Sequence, residues 1–131
     1  MSTRILIADD DASVRRLIEL MLRKGQYRLA MVANGFKALE QMRHEPPDLV
    51  ICDLMMPEMD GFQVLQAAKA QASLAHIPII VVTAAGQQTH VEEALRLGAA
   101  ACVFKPFAQA HFLETVRAAL APFAVAASSI A

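Results

Sequence analysis

Four short stretches carry the side chains able to do chemistry. Asp9, Asp10 and Asp11 stand in a row; Asp53 closes the apolar run Leu49-Val50-Ile51-Cys52; Thr83 and Ala84 follow Ile79-Ile80-Val81-Val82; Lys105 and Pro106 follow Ala101–Phe104. Singly, each has an ordinary reading. The acidic run suits a helix N-cap, Asp53 a turn, Thr83 a strand end, and Lys105 a solvated surface. Together they make a set. Carboxylates brought close repel, and without a counter-charge one of them tends to take up a proton. A hard divalent cation relieves that repulsion, and magnesium prefers oxygen ligands while keeping waters for an incoming phosphate. A lysine and a hydroxyl beside such a cation can neutralise and hydrogen-bond phosphoryl oxygens. A carboxylate in the group can serve as nucleophile. The chemistry is phosphoryl transfer.

That set works only if four separate strands end at one place. Ile5-Leu6-Ile7-Ala8 predicts a first strand, and Val14, Leu17, Ile18 and Met21 at helical spacing predict a helix closed by Gly25 in the C′ position. Arg28–Ala33 alternates as a strand. Asn34-Gly35 then turns into a helix carrying Phe36, Leu39 and Met42, which Pro46-Pro47 ends. Leu49–Cys52 is continuously apolar, as in a strand covered on both faces. Asp60 as N-cap, with Gln63 reaching back, opens a third helix. Pro78 precedes the β-branched fourth strand. Thr89 and Glu92 form a capping-box pattern opening a helix that ends at Gly98. Ala101–Phe104 is the fifth strand. Phe107 to about Leu120 forms the last helix, with Phe112, Leu113, Val116 and Leu120 inward. Strict alternation with short connections implies an α/β doubly wound parallel sheet with five helices. In such folds ligands sit beyond the carboxyl ends of the strands, where Asp9, Asp10, Asp53, Thr83 and Lys105 all fall.

Composition bounds the alternatives. The 131 residues suit one domain, and 56% hydrophobic residues with 25 alanines exclude a disordered chain. A net charge of −1 argues against a protein built for the nucleic-acid backbone. Cys52 and Cys102 lie in apolar runs and read as buried reduced thiols of a cytoplasmic protein. His44, His76, His90 and His111 show no metal spacing, and no apolar stretch approaches the ~18 residues of a membrane span. From Pro122 the chain is an alanine-rich tail.

These residues resemble the receiver domain of two-component response regulators. The resemblance covers about residues 3–121. It rests on Asp9-Asp10, the run Asp-Leu-Met-Met-Pro-Glu-Met-Asp-Gly from Asp53 to Gly61, Val82-Thr83-Ala84 and Lys105-Pro106-Phe107, four motifs in order at the right strand ends. It implies a receiver domain over 1–121 with a tail over 122–131, and a flavodoxin-like sheet of order 2-1-3-4-5, an order also given for a chemotaxis receiver among general examples of this fold. Asp53 is then the phosphoacceptor, Thr83 and Lys105 contact the phosphoryl group, and Asp10, Asp53 and the Met55 backbone carbonyl bind Mg²⁺, with Asp9 acting mainly through a metal-bound water. The implied Lys105–Pro106 bond is cis. The implied partners are a histidine kinase or histidine phosphotransfer protein, facing Arg15, Arg16 and the loop after Lys105, and a downstream protein recognised in the phosphorylated state. The implied molecule is a cytoplasmic monomer or weak phosphorylation-dependent dimer with no nucleic-acid or membrane contact, catalysing only its own phosphotransfer and dephosphorylation.

Departures and rivals follow from the same residues. Cys102 stands where the family usually places an aromatic, three residues before the lysine, so the signalling face is expected to change less on phosphorylation. Ala108 stands where a capping side chain is usual in the last helix. Met55 and Ala85 flank the path of an attacking water and cannot orient it, which predicts a phosphoryl group lasting minutes or longer. A haloacid-dehalogenase-type phosphatase would need an acid where Met55 stands, and a flavodoxin-like cofactor binder would not place three aspartates after strand one. The chain is expected either to act by docking and relay, or to be the N-terminal receiver of a larger regulator.

Overall fold

The computed structural model describes the backbone of residues 2–130 and the side chains of residues 2–121. Five strands and five helices alternate: β1 (Arg4–Ala8), α1 (Ala12–Leu22), β2 (Arg28–Val32), α2 (Gly35–His44), β3 (Leu49–Asp53), α3 (Gly61–Ala70), β4 (Ile79–Ala84), α4 (Gln88–Arg96), β5 (Ala101–Lys105) and α5 (Gln109–Ile130). All pairings are parallel and the sheet order is β2-β1-β3-β4-β5, as the resemblance implies. The side chains assigned to the tail over 122–131 lie outside the described residues.

The period-two alternation of the strands divides the core into two layers. Leu6, Val50, Cys52, Ile79 and Val81 point to one face, where Leu39 and Met42 of α2, Val64 and Leu65 of α3 and Ala94 of α4 cover them. Ile5, Ile7, Ile51, Ile80, Val82 and Val103 point to the other, against Ile18 and Leu22 of α1 and Phe112 and Val116 of α5. Completely burying a side chain such as Phe112 contributes ~1.5–3 kcal/mol, and β1, β3 and β4 are closed on both sides. This leaves only the strand ends for polar chemistry.

Of the capping boxes expected, that at Asp60 forms and that at Thr89 does not, while Asn34, expected only to turn into α2, also caps it. Asn34 accepts from the Lys37 N–H, and Asp60 with Gln63 forms the reciprocal capping box. The pattern at Thr89 and Glu92 does not form: α4 begins earlier, at Gln88, behind a Gln87 that makes no side-chain cap, so Thr89 lies inside the first turn. Gly98 does take the left-handed conformation after α4, at φ 104°. Gly25 does not. It belongs to a short 3₁₀ turn (Arg23–Gly25), and Gln26 takes the left-handed backbone at φ 58°. The need for glycine at 25 is room, because a Cβ there would run into the ring of Tyr27. Leu17 and Phe36, expected inward, are exposed, while Leu22 and Ala38 fill those layers.

Candidate functional site

The strand ends meet on one edge. Register places Ala8 beside Cys52, Asp53 beside Val82, Thr83 beside Phe104 and Ala84 beside Lys105. Asp9 just beyond β1, Asp53 and Lys105 at the last residues of β3 and β5, and Thr83 one residue before the end of β4 therefore converge. Asp10 is exposed at the rim. The position of Asp53 depends on Gly61: a Cβ there would lie 2.7 Å from the Asp53 carbonyl oxygen and 2.8 Å from the Leu54 Cα. Only glycine lets α3 start this close to the end of β3. Its N–H donates to the Leu54 carbonyl at 2.9 Å, closing the loop that carries Met55.

The acidic run divides its labour. Asp11 is the N-cap of α1 and accepts from the Ser13 N–H at 2.8 Å. Asp9 turns inward to 1% exposure, its Oδ1 accepting from the Asp11 N–H at 2.8 Å. One carboxylate oxygen from each of Asp9, Asp10 and Asp53 lies within 4.8 Å of the others. Lys105 Nζ stands 3.3 Å from Oδ2 of both Asp9 and Asp53, and donates to Asp53. The Asp53 Oδ1 accepts from the Met55 N–H at 3.2 Å.

One lysine does not balance this charge. Burial first, then the charge of Asp9, raise the Asp53 pKa above its ordinary value, against the opposing pull of the Met55 N–H and Lys105. Burial lowers the Lys105 pKa, but Asp53 and Asp9 outweigh it and hold the ammonium above its ordinary value. Two buried oxygens are left without a hydrogen bond: Asp9 Oδ2, which has only its ion pair, and Thr83 Oγ1. A pocket with excess negative charge, an unsatisfied carboxylate oxygen and an unsatisfied hydroxyl suits a divalent cation and an incoming phosphoryl group.

The chain matches a known family. Residues 5–117 match the response regulator receiver domain. The chain belongs to that family. DNA-binding response regulator MtrA of Mycobacterium tuberculosis is 36% identical over 120 residues, 92% of this chain and 51% of that protein. Probable transcriptional regulator ycf27 of Pyropia yezoensis is 37% identical over 117 residues, 89% of this chain and 47% of that protein. The chain thus spans about half the length of these curated relatives. Among solved structures, chemotaxis response regulator CheY4 of Vibrio cholerae superposes with a TM-score of 0.85 at 28% identity, covering 92% of this chain and all of that one. The receiver domain of a signal transduction histidine kinase from Syntrophus aciditrophicus gives 0.85 at 30% identity, covering 92% of each chain. The chain is a receiver domain of the response-regulator family of two-component signalling. Among the described residues no helix is long and apolar enough to cross a membrane.

Several features of this receiver stand apart from the four motifs. The Lys105–Pro106 peptide is cis, as the resemblance implies. Arg15, expected to face the phosphodonor, also donates from Nη1 to the Asp9 carbonyl at 2.6 Å and so holds the turn that aims Asp9. Its position six residues after Asp9 gave no signal, because the contact is between a side chain and the main chain. Arg16 pairs with Glu19 instead. Cys102 is half-buried, with its Sγ 4.0 Å from the Val91 carbonyl, and burial raises its thiol pKa. Ala108 offers only its carbonyl, which accepts from the Phe112 N–H.

Proposed function

We propose that Asp53 accepts a phosphoryl group from the phosphohistidine of a kinase or a histidine phosphotransfer protein, in a reaction that needs Mg²⁺. The observation that carries this reading is Lys105 Nζ at 3.3 Å from both Asp9 and Asp53, beside the unpartnered Thr83 hydroxyl. Asp9, Asp10, Asp53 and the Met55 carbonyl would hold the cation, as the cluster of carboxylate oxygens supports. When bound, it supplies neutralisation of phosphoryl oxygens and of the crowded carboxylates. An Asp53 carboxylate oxygen forms the new bond to phosphorus as the bond from phosphorus to the imidazole nitrogen breaks, and that nitrogen leaves with the electron pair. Lys105 offsets charge on the transferred group, and Thr83 Oγ1 donates to one of its oxygens. The phosphoryl group adds about −1.5 to −2 charges, and Thr83, moving to meet it, draws on the loop before α4. That biases an equilibrium between two conformations that a downstream protein tells apart.

In this reading the receiver unit is 1–121, it works in the cytoplasm, and it catalyses only its own phosphorylation and dephosphorylation. It is a monomer or a weak dimer formed on phosphorylation. The acceptor is tested by incubating the chain with phosphoramidate and Mg²⁺, trapping the acyl phosphate with borohydride and mapping the reduced residue by mass spectrometry. Reduction at Asp53 alone is expected; reduction at Asp9 or Asp10 would overturn the assignment.

A further inference from the structure

We infer that the open edge of β2 is a docking site for an extended acidic peptide, which adds to the sheet as a sixth strand. β2 pairs only with β1. The Arg28 N–H donates to the Thr3 carbonyl at 2.9 Å, and the Val32 carbonyl accepts from the Asp9 N–H at 3.2 Å. Because the bonding side alternates along a parallel strand, Arg28, Ala30 and Val32 turn their main chain toward β1. The N–H and C=O groups of Leu29 and Met31 are left facing outward. Neither residue's main chain bonds elsewhere among the described residues. A groove runs along this edge against α2. One half lies beside Leu29 and reaches over β1 at Leu6, with Glu45 across it; the other lies beside Met31 with Arg15, Lys37 and Glu40 around it, and Gln41 is common to both.

Charge says what would lie there. Of the charged residues lining the two halves, Glu45 faces Arg4 and Arg15 donates to the Asp9 carbonyl, which leaves Arg28 and Lys37 against Glu40. Over residues 12–44, seven Lys and Arg residues stand against two acids, Glu19 and Glu40. Arg16 uses Glu19; Arg23, Lys24, Arg28 and Lys37 make no ion pair among the described residues. A second copy of the chain would bring the same positive charge against itself, which disfavours edge-to-edge self-pairing. An extended backbone satisfies the outward groups of Leu29 and Met31, alternate acidic side chains meet Arg28 and Lys37, and an apolar one meets Met31, which is 42% exposed. The site needs no phosphoacceptor or cation-holding residue, although Arg15, at its Met31 end, also holds the turn at Asp9.

The probe is an acetylated, amidated peptide of alternating Glu and Val long enough to span β2. It is compared with the same peptide carrying Lys for Glu and with a duplex DNA oligonucleotide. In amide-resolved hydrogen exchange, the acidic peptide is expected to slow Leu29 and Met31 about tenfold and to leave Ala30 unchanged. Reversing charge with Arg28→Glu and Lys37→Glu is expected to weaken binding about tenfold. Met31→Pro removes an outward donor that the fold does not use, as an edge strand tolerates. It is expected to abolish binding while retaining phosphorylation of Asp53. No protection at Leu29 and Met31, equal binding of the Lys peptide, unchanged binding to Met31→Pro, or tighter binding of the duplex to the same residues would each overturn the proposal. The basic edge would then serve only to keep β2 from aggregating.

Discussion

At the scale of single residues, Asp53 is held at a cost that a cation removes. Its folded pKa lies above the ordinary 3.8 because burial and Asp9 disfavour its charge. An acid raised in this way contributes stability that is present below its unfolded pKa and lost as pH rises through its folded pKa. The metal-free chain therefore loses stability through this group as pH rises from 3.8 through the raised folded pKa. Urea midpoints in chelator at about pH 4 and about pH 7 measure the effect, with Asp53→Asn as reference. Wild type is expected to lose more stability than Asp53→Asn over that interval, and to recover it with Mg²⁺; equal losses contradict the repulsion. Glu58 offers a second test. It sits in the loop after β3 with φ 69°, a conformation asparagine adopts more readily than glutamate. Glu58→Asn is expected to stabilise the chain by about 0.5–1 kcal/mol with an unchanged denaturant slope; a lower midpoint would show that the Glu58 side chain holds the loop. Met55, 63% exposed two residues after Asp53, has no group to orient a water. The phosphoryl group is expected to last minutes or longer in the purified protein, and loss within seconds would exclude this.

At the scale of elements, the face made by α4, β5 and α5 carries the departure that matters. Cys102 is too small to swing as an aromatic ring does, and Phe104, on the same side of β5, stays exposed. With beryllofluoride as phosphate mimic, amide shifts are expected to be large around Thr83 and small around Cys102. Large shifts at Cys102 would mean that this face switches without the ring. The elements themselves were legible because β1, β3, β4 and β5 are apolar runs with their chemistry at the last residue, and because Asn34 and Asp60 cap helices in a local, three-residue pattern. What was not legible is non-local. Thr89 and Glu92 satisfy a capping pattern, yet α4 starts earlier, at Gln88, after an exposed loop that turns at Gly86 with φ 89°. Gly25 looks like a left-handed terminator but is kept small by the Tyr27 ring. Arg15 reaches a carbonyl, and main-chain acceptors leave no mark in a sequence.

At the scale of the whole molecule, a net charge of −1 conceals two opposed regions. Asp9, Asp10, Asp11 and Asp53 concentrate negative charge at the carboxyl edge of the sheet, while the segment around β2 carries most of the uncompensated positive charge. Sheet order puts β1 and β3 side by side, so residues more than forty positions apart become one site. The central claim is that this edge is a working phosphoacceptor with Asp53 as the accepting group. Its most direct test is the intact mass of wild type and Asp53→Asn after incubation with a small phosphodonor, with Mg²⁺ or with chelator. One added phosphoryl group is expected on wild type with Mg²⁺ and none in the other three samples. An unchanged wild-type mass, or the same gain on Asp53→Asn, would contradict it.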